Sequence, residues 1–498
     1  MLLFAHALIR DAVYDTLLKS RQRELHRRAA DWYFDRDLVL RAEHLDRAED
    51  PEAAAAYRAA ARSQAAEYRQ ETALRLVERG LELVTDQTDR FALTLLHGEI
   101  LHDFGAMPEA GRAYQAALDA AADDRERCLA WIGLAAVKRV TDDLAGAQAD
   151  LEQADRAAKL HHLTAEQARI HILRGNLCFP RGDIEGCLRE HGIALELAGR
   201  AGAAEMEAMA LGGLGDAEYV RGRMISAHDR FRQCVELCER HGFGRIEVAN
   251  RPMMAFTQWF AGDTRGALAV AEAAIKSAAS TGHRRAEMIG HHAAFFCRHA
   301  LMDFETAVVH ADAALMLAQQ LGARRFETEA LVFRAELHRL AGRQAEALAN
   351  AEEAVKISRE TGPAFLGPFA LGALALASED PTVRRAALAE GEALLEAGAV
   401  SHNHLLFPRD AIEAYLEAGD WEGVERSAAG LAQYTHSEPL PFTDFYFERA
   451  RALAVLGGQR SSAESLTAEF ERLRKEGERL GLRVALGEIV KAIEKMRG

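Results

Sequence analysis

The sequence has 498 residues, 28% of them charged, and a formal net charge of −15 at pH 7. This balance argues against a general affinity for nucleic acid or anionic membranes, because phosphate binding is driven by clustered Lys and Arg. Strong helix formers dominate, prolines number only 10, and the alternating Val, Ile and Thr runs of β-strands are absent. We therefore expect an all-α protein with no nucleic-acid or membrane partner.

Residues 1–45 form the first predicted segment. Its opening run, MLLFAHALIRD, meets His6 and Arg10 too early to be a secretory segment. No apolar run in the chain approaches the length of a membrane helix. These features predict a cytoplasmic protein.

A glycine-rich turn recurs every forty residues along the middle of the chain. The stretch GDTRG at 262–266 has counterparts that begin at 182, 222, 302 and 342. A second series follows the same period, at Gly202, Gly242, Gly282, Gly322 and Gly362. Two interleaved series mean two turns, and hence two helices, per repeat. Glycine supplies the left-handed conformation that ends a helix, and a following Asp can cap the next one.

Small residues mark fixed points on both predicted helices. On the first helix they lie seven residues before each first turn, at Gly175, Gly215, Ala255 and Ala335, with Phe295 as the exception. On the second helix they lie five residues after it, at Cys187, Ala227, Ala267, Ala307 and Ala347. Small side chains let two helix axes approach closely. We therefore predict a right-handed α-solenoid of helix pairs over 46–498, most regular at 164–362, with irregular repeats and a closing cap at 363–498.

The GDTRG stretch has a second interpretation, as a turn that binds phosphate. The turn occurs five times at the same repeat position, which is expected of a structural element and not of a single phosphate site. A Walker loop would also need Gly-Lys followed by Ser or Thr, and the chain contains no Gly-Lys pair. We favour the structural interpretation.

The small residue, the Gly-Asp turn and the Ala of the second helix resemble the tetratricopeptide repeat, in a long form found in sensor arms of bacterial signal-transducing ATPases. The stretch FAHALIRDAVYDTLLKSRQRELHRRAADWY at 4–33 resembles the segment that joins the ATPase to the repeats in class III adenylate/guanylate cyclase-like proteins of the STAND/AAA type. Residues 401–441 are similar to the closing repeats of those proteins. The resemblance covers essentially the whole chain, and it implies that residues 1–45 are the C-terminal part of a winged-helix or ATPase-linker segment.

The chain departs from that family in its chemistry, because it has neither a P-loop nor a cyclase motif. We therefore expect no enzyme activity and no cofactor. The resemblance implies a nucleotide-sensing role for His6, and the alternative is a capping or half-buried histidine on a helix.

One face of the first helix of each repeat carries the candidate binding residues. Positions three, six, ten and thirteen before the turn share a face, because their separations follow the helical period. The candidates are Asn176, Phe179, Asp216, Tyr219, Phe256, Trp259, His292, Phe296, His299, Glu336 and Arg339. We expect the aromatic members to form the floor of a groove that binds a protein or peptide, with Asp216, Glu336 and Arg339 as polar anchors. The alternative is that these rings are ordinary packing between repeats.

Metal and catalytic sites find little support in the sequence. The histidine pairs diverge, no HExxH or zinc-type Cys/His spacing occurs, and no nucleophile elbow is present. The six cysteines lie within helical patterns and are expected to pack as small apolar groups. We expect no metal.

The leading functional prediction is a non-catalytic scaffold or sensor arm that binds a protein or peptide in a signalling ATPase or cyclase system. Its partners include a separately encoded ATPase or cyclase module. One alternative is the C-terminal regulatory half of a cyclase-like enzyme whose catalytic and ATPase domains lie outside this sequence. A weaker alternative is a sensor of a small molecule in the same groove.

Overall fold

The computed structural model describes residues 12–67, 69–458 and 463–497. Across these residues the regular structure consists of α-helices and two short 3-10 helices, without a strand. The predicted all-α, solenoid-like class is confirmed. None of the described helices is long and apolar enough to cross a membrane. His6 lies outside the described residues, and the assignment of residues 1–45 to a winged-helix segment stays a prediction.

The chain divides into two compact units, Met1–Arg181 with Ile193–Ala203, and Gly182–Gly192 with Ala204–Gly498. The helices of the first unit are α1 (Lys19–Tyr33), α2 (Leu38–Arg47), α3 (Ala53–Ala66), α4 (Gln70–Leu83), α5 (Gln87–Phe104), α6 (Met107–Ala120), α7 (Asp124–Val140), α8 (Leu144–Leu160) and α9 (Thr164–Cys178). Helix α10 (Ile184–Ala201) contributes residues to both units.

Close helix contacts in the first unit depend on glycine. The ring of Tyr114 lies against α5 and α7 at positions without side chains. A Cβ atom added at Gly98 would come within 2.8 Å of this ring, and one added at Gly133 within 2.3 Å. The two glycines therefore make room for one buried aromatic side chain.

The second unit continues the alternation of first and second helices. Its helices are α11 (Ala204–Arg221), α12 (Met224–His241), α13 (Gly244–Phe260), α14 (Thr264–Thr281), α15 (Arg284–Ala300), α16 (Phe304–Gln320), α17 (Arg324–Leu340), α18 (Gln344–Thr361), α19 (Pro363–Ala377), α20 (Pro381–Glu396), α21 (Asn403–Ala418), α22 (Trp421–Thr435), α23 (Pro441–Gly457), α24 (Ala463–Leu480) and α25 (Gly487–Arg497). A 3-10 turn at Arg483–Leu486 precedes α25.

The glycine turns have the predicted geometry. Gly262 ends α13 with φ +89°, and the carboxylate of Asp263 accepts a hydrogen bond from the N–H of Gly266 at 2.9 Å. One of the amides that α14 leaves free in its first turn, that of Gly266, is thereby satisfied within the chain. Met302 adopts the same left-handed conformation with φ +64°, at the place where the other repeats have glycine.

The small residues seven positions before each turn mark close helix crossings. The exception, Phe295, packs against another aromatic residue. A Cβ atom at Gly215 would come within 2.7 Å of the ring of Phe231 on the following helix. Phe295, the exception, stacks face to face on Phe333 of the next repeat, with ring centroids 3.9 Å apart. The fourth repeat therefore joins the fifth through an aromatic stack.

The second unit curls so that its C-terminal helices meet its first ones. Its largest core cluster contains both Met224, near the start of the unit, and Ile493, near its end. The hydroxyl of Thr264 donates a hydrogen bond to the carbonyl of Leu480, and the hydroxyl of Ser401 donates one to the carbonyl of Tyr219. Through these contacts the C-terminal part of the unit lies against the helices that were predicted to form a groove.

Candidate functional site

We define the inner stripe as the residues that lie three, six, ten, thirteen and seventeen positions before the turn on α11, α13, α15 and α17. These positions follow the helical period and fall on one side of each helix. Nine of the eleven predicted binding residues belong to this stripe. Asn176 and Phe179 instead lie at the end of α9 in the first unit, where both are half-buried.

The half of the stripe nearest the turns is covered. Phe256, Trp259 and Phe296 are 5%, 2% and 2% exposed. The ring of Phe442, at the start of α23, lies 4.8 Å from Trp259. The expectation of a groove open to a partner along these rings therefore needs correction, because the unit's own C-terminal helices occupy it.

Tyr219 is covered in the same way by the segment that precedes α21. It is half-buried, and the ring of His402 stacks on it at a centroid distance of 5.9 Å. Ser401, next to this histidine, is hydrogen-bonded to the Tyr219 carbonyl. Tyr219 therefore belongs to the internal closure of the unit.

The polar members of this covered half form a buried ionic network. The Nε2 atom of His299 lies 3.0 Å from a carboxylate oxygen of Glu336, and the other oxygen of Glu336 lies 3.8 Å from the guanidinium of Arg409. Arg409 also contacts Asp410 at 2.6 Å. Burial alone would raise the pKa of Glu336, but the neighbouring His299 and Arg409 side chains hold this pKa below its usual value.

Two further predicted binding residues make similar ionic contacts. Arg339, which belongs to the stripe, forms an ion pair with Glu417 at 3.6 Å. The Nδ1 atom of His292 lies 2.8 Å from Glu329, and His292 is only 2% exposed. Glu336, Arg339 and His292 thus hold helices together in this structure.

The half of the stripe farthest from the turns remains open. Arg245, Arg285 and Arg325 occupy the position seventeen residues before the turn in three consecutive repeats, and all three are exposed. Ala249, thirteen positions before its turn, is exposed on the same half. Asp216 on α11 is also exposed, although it lies only six positions before its turn.

The three arginines were not among the predicted binding residues, although their spacing is visible in the sequence. They repeat with the same forty-residue period as the turns, but they lie at the far end of the helix, one turn beyond the positions considered. A search of every helix position for the period would have found them.

The open half of the stripe offers a surface for binding. No group of three or more His, Cys, Asp or Glu side chains in the described part of the chain is placed to hold a metal ion. The six cysteines are buried, and burial raises the pKa of the Cys297 thiol well above its usual value. A thiol held neutral in this way is a poor nucleophile.

Comparisons with known proteins bear on the fold. No protein-family model matches this chain, and no curated protein matches it either. A solved structure with similar architecture is the signal transduction ATPase with numerous domains, which carries a tetratricopeptide-repeat sensor, from Pyrococcus horikoshii. It has a TM-score of 0.52 and 15% identity over 70% of this chain and 54% of that one. The chain therefore spans about half the length of that protein.

Two further solved structures are similar to the chain. A Rap protein in complex with competence and sporulation factor has a TM-score of 0.48 and 13% identity, and covers 75% of this chain and 99% of that one. Yeast Tom70 has a TM-score of 0.37 and 13% identity over 89% and 96%. The similarity to the Pyrococcus horikoshii structure supports a helical-repeat fold.

Proposed function

We propose that this chain is a non-catalytic helical-repeat scaffold that binds a protein or peptide partner and serves as the sensor arm of a cytoplasmic signalling ATPase or cyclase system. The observation that carries the proposal is the open half of the inner stripe. Arg285 and Arg325 lie at the same position on consecutive first helices, seventeen residues before the turn, and Ala249 on α13 lies thirteen residues before its turn.

The covered half supports binding by making this surface rigid. Phe256, Trp259 and Phe296 are buried on the same face, nearer the turns, and pack against one another, with ring centroids 4.7–6.3 Å apart. A surface that is already ordered loses little conformational entropy when a partner binds. Phe442 packs against Trp259 and so helps to order the helices that carry the open half.

The signalling context rests on two likenesses. Residues 4–33 and 401–441 resemble matching stretches of class III cyclase-like signalling ATPases. The fold is also similar to a signalling ATPase with a repeat sensor. We therefore propose that an ATPase or cyclase module, on a separate chain or beyond this sequence, receives the signal.

Site-specific photo-crosslinking tests the proposal. A photoreactive amino acid at position 249 lies on the open stripe, and one at position 273 lies on the exposed surface of the second helix α14. We expect a discrete protein from the native cell to crosslink from 249 and not from 273, and to bind again when both proteins are purified. Equal crosslinking from both positions, or no rebinding, would contradict the proposal.

A further inference from the structure

We infer that the open half of the inner stripe recognises an acidic peptide segment, whose carboxylates pair with Arg285 and Arg325. The inference rests on the proposed binding function and names the chemistry of the partner.

The two arginines are held in the same way, one repeat apart. The guanidinium carbon of Arg285 lies 5.2 Å from the ring centre of Phe326, and that of Arg325 lies 5.2 Å from the ring centre of Phe365. A cation over an aromatic face is attracted by the ring and loses part of its rotational freedom. Its N–H groups stay available for a carboxylate, which a guanidinium binds through two parallel hydrogen bonds.

Both arginines lack a carboxylate partner among the described residues, in contrast to their direct neighbours. Arg284 lies 3.5 Å from Glu287, and Arg324 lies 3.0 Å from Glu327. Arg325 makes only a long hydrogen bond of 3.4 Å to the carbonyl of Thr361. Two arginines without an ion pair, at matching repeat positions, point to a ligand that supplies carboxylates.

The surroundings of the arginines include a buried polar atom without a partner. His402 is 4% exposed, and its Nε2 donates a hydrogen bond to the carbonyl of Phe365 at 2.7 Å. Its Nδ1 atom has no hydrogen-bond partner within the described residues. The ring of His402 lies 5.3 Å from that of Phe365, the residue that supports Arg325. A buried acceptor without a donor therefore lies one aromatic ring away from Arg325.

A peptide fits this surface better than a nucleic acid. Phe326 and Phe365 are half-exposed and offer apolar area that a polyphosphate would not use. The net charge of the chain also opposes a polyanion. Neighbouring helix axes lie about 10 Å apart, which an extended peptide spans with roughly three residues. We therefore expect the acidic side chains to be about three residues apart.

Binding of labelled synthetic peptides to the full chain tests this inference. The probes carry two Glu residues at different separations on a background of Gly, Ser and Leu, and matched probes carry Lys instead. We expect the best binding at a separation of about three residues and no binding of the Lys probes. The double variant Arg285→Gln/Arg325→Gln should lose affinity by roughly tenfold or more, since two charge-assisted pairs are removed.

The control is Arg284→Gln/Arg324→Gln, which changes the net charge equally at adjacent residues and should leave the affinity within about twofold. Asp216→Asn should tighten binding, because a like charge on the stripe is removed. Equal effects of the two double variants, or equal binding of Glu and Lys probes, would overturn the inference. If the protein that crosslinks from position 249 still binds Arg285→Gln/Arg325→Gln with unchanged affinity, the acidic-peptide inference fails while the proposed scaffold function stands.

Discussion

The carboxylate of Glu438 accepts hydrogen bonds from the hydroxyl of Ser226 at 2.5 Å and from the backbone N–H of Ile225 at 2.9 Å. Ser226 lies in the first turn of α12, whereas Glu438 precedes α23. The side chain therefore caps a helix that lies more than two hundred residues earlier in the chain, at the end where the helix dipole favours a negative charge. With Thr264 and Ser401, it joins the end of the second unit to its beginning.

Replacement of Glu438 by Gln should weaken this closure. The variant keeps the size of the side chain but loses the charge that strengthens both hydrogen bonds. We expect a loss of about 1–2 kcal/mol in the free energy of unfolding, measured by urea unfolding at low salt. The control is Glu352→Gln, which removes an exposed carboxylate from the middle of α18. An equally small effect of both variants would show that the cap contributes no stability.

Truncation of Trp259 to Ala distinguishes a core residue from a binding residue. The side chain is 2% exposed, and its indole N–H has no acceptor among the described residues, so packing alone holds it. We expect a loss of about 3–5 kcal/mol, seen as a lower urea midpoint. Val309→Ala, at a side chain that is 61% exposed, should change stability by less than about 0.5 kcal/mol. A Trp259 variant of normal stability would mean that the C-terminal helices do not cover this ring in solution.

The sequence predicted the repeating unit well because the relevant interactions are local. Gly262 and Asp263 define their turn by backbone geometry and by a hydrogen bond within four residues, so the pattern is visible in a short stretch of sequence. The contact of Trp259 with Phe442 joins residues almost two hundred positions apart, and no periodicity specifies it. The sequence therefore predicted which residues share a side of each helix, but not the segment that covers half of that side.

The glycine at position 215 should resist replacement even though alanine is the better helix former. A Cβ atom there would come within 2.7 Å of the ring of Phe231, so Gly215→Ala should cost about 1–3 kcal/mol through overpacking. Gly192, in the interior of α10, has no neighbouring atom within 4 Å of an added Cβ. Gly192→Ala should therefore stabilise the chain by about 0.5–1 kcal/mol. Urea midpoints of the two variants should shift in opposite directions, and a shift in the same direction would contradict the proposed close crossing of α11 and α12.

Acid should destabilise the fold through histidines that are wholly or partly buried, and the half-buried His291 is the clearest case. Its Nδ1 lies 2.9 Å from the Nδ1 of His310, and burial, followed by repulsion from His310 and His292, lowers the pKa of His291 to about 4. The same group in the unfolded chain has a pKa of about 6.5. Between these two pH values the unfolded state holds a proton that the folded state lacks, so stability falls as the pH falls and the loss is complete below about pH 4.

The variant His291→Gln should remove this contribution and flatten the loss of stability between pH 6.5 and 4 by up to about 1.4 kcal/mol per pH unit. The measurement is urea unfolding at a series of pH values, with His436→Gln, at an exposed position, as the control. Asp410 acts in the opposite direction, because burial raises its pKa to about 6 and its folded form gains a proton as the pH falls below that value. Asp410 is present in both proteins, so the difference in unfolding free energy between variant and parent at each pH contains the contribution of His291 without that of Asp410. Parallel pH profiles for His291→Gln and the parent would show that His291 is protonated in the folded chain, and hence that water reaches the histidine pair between α15 and α16.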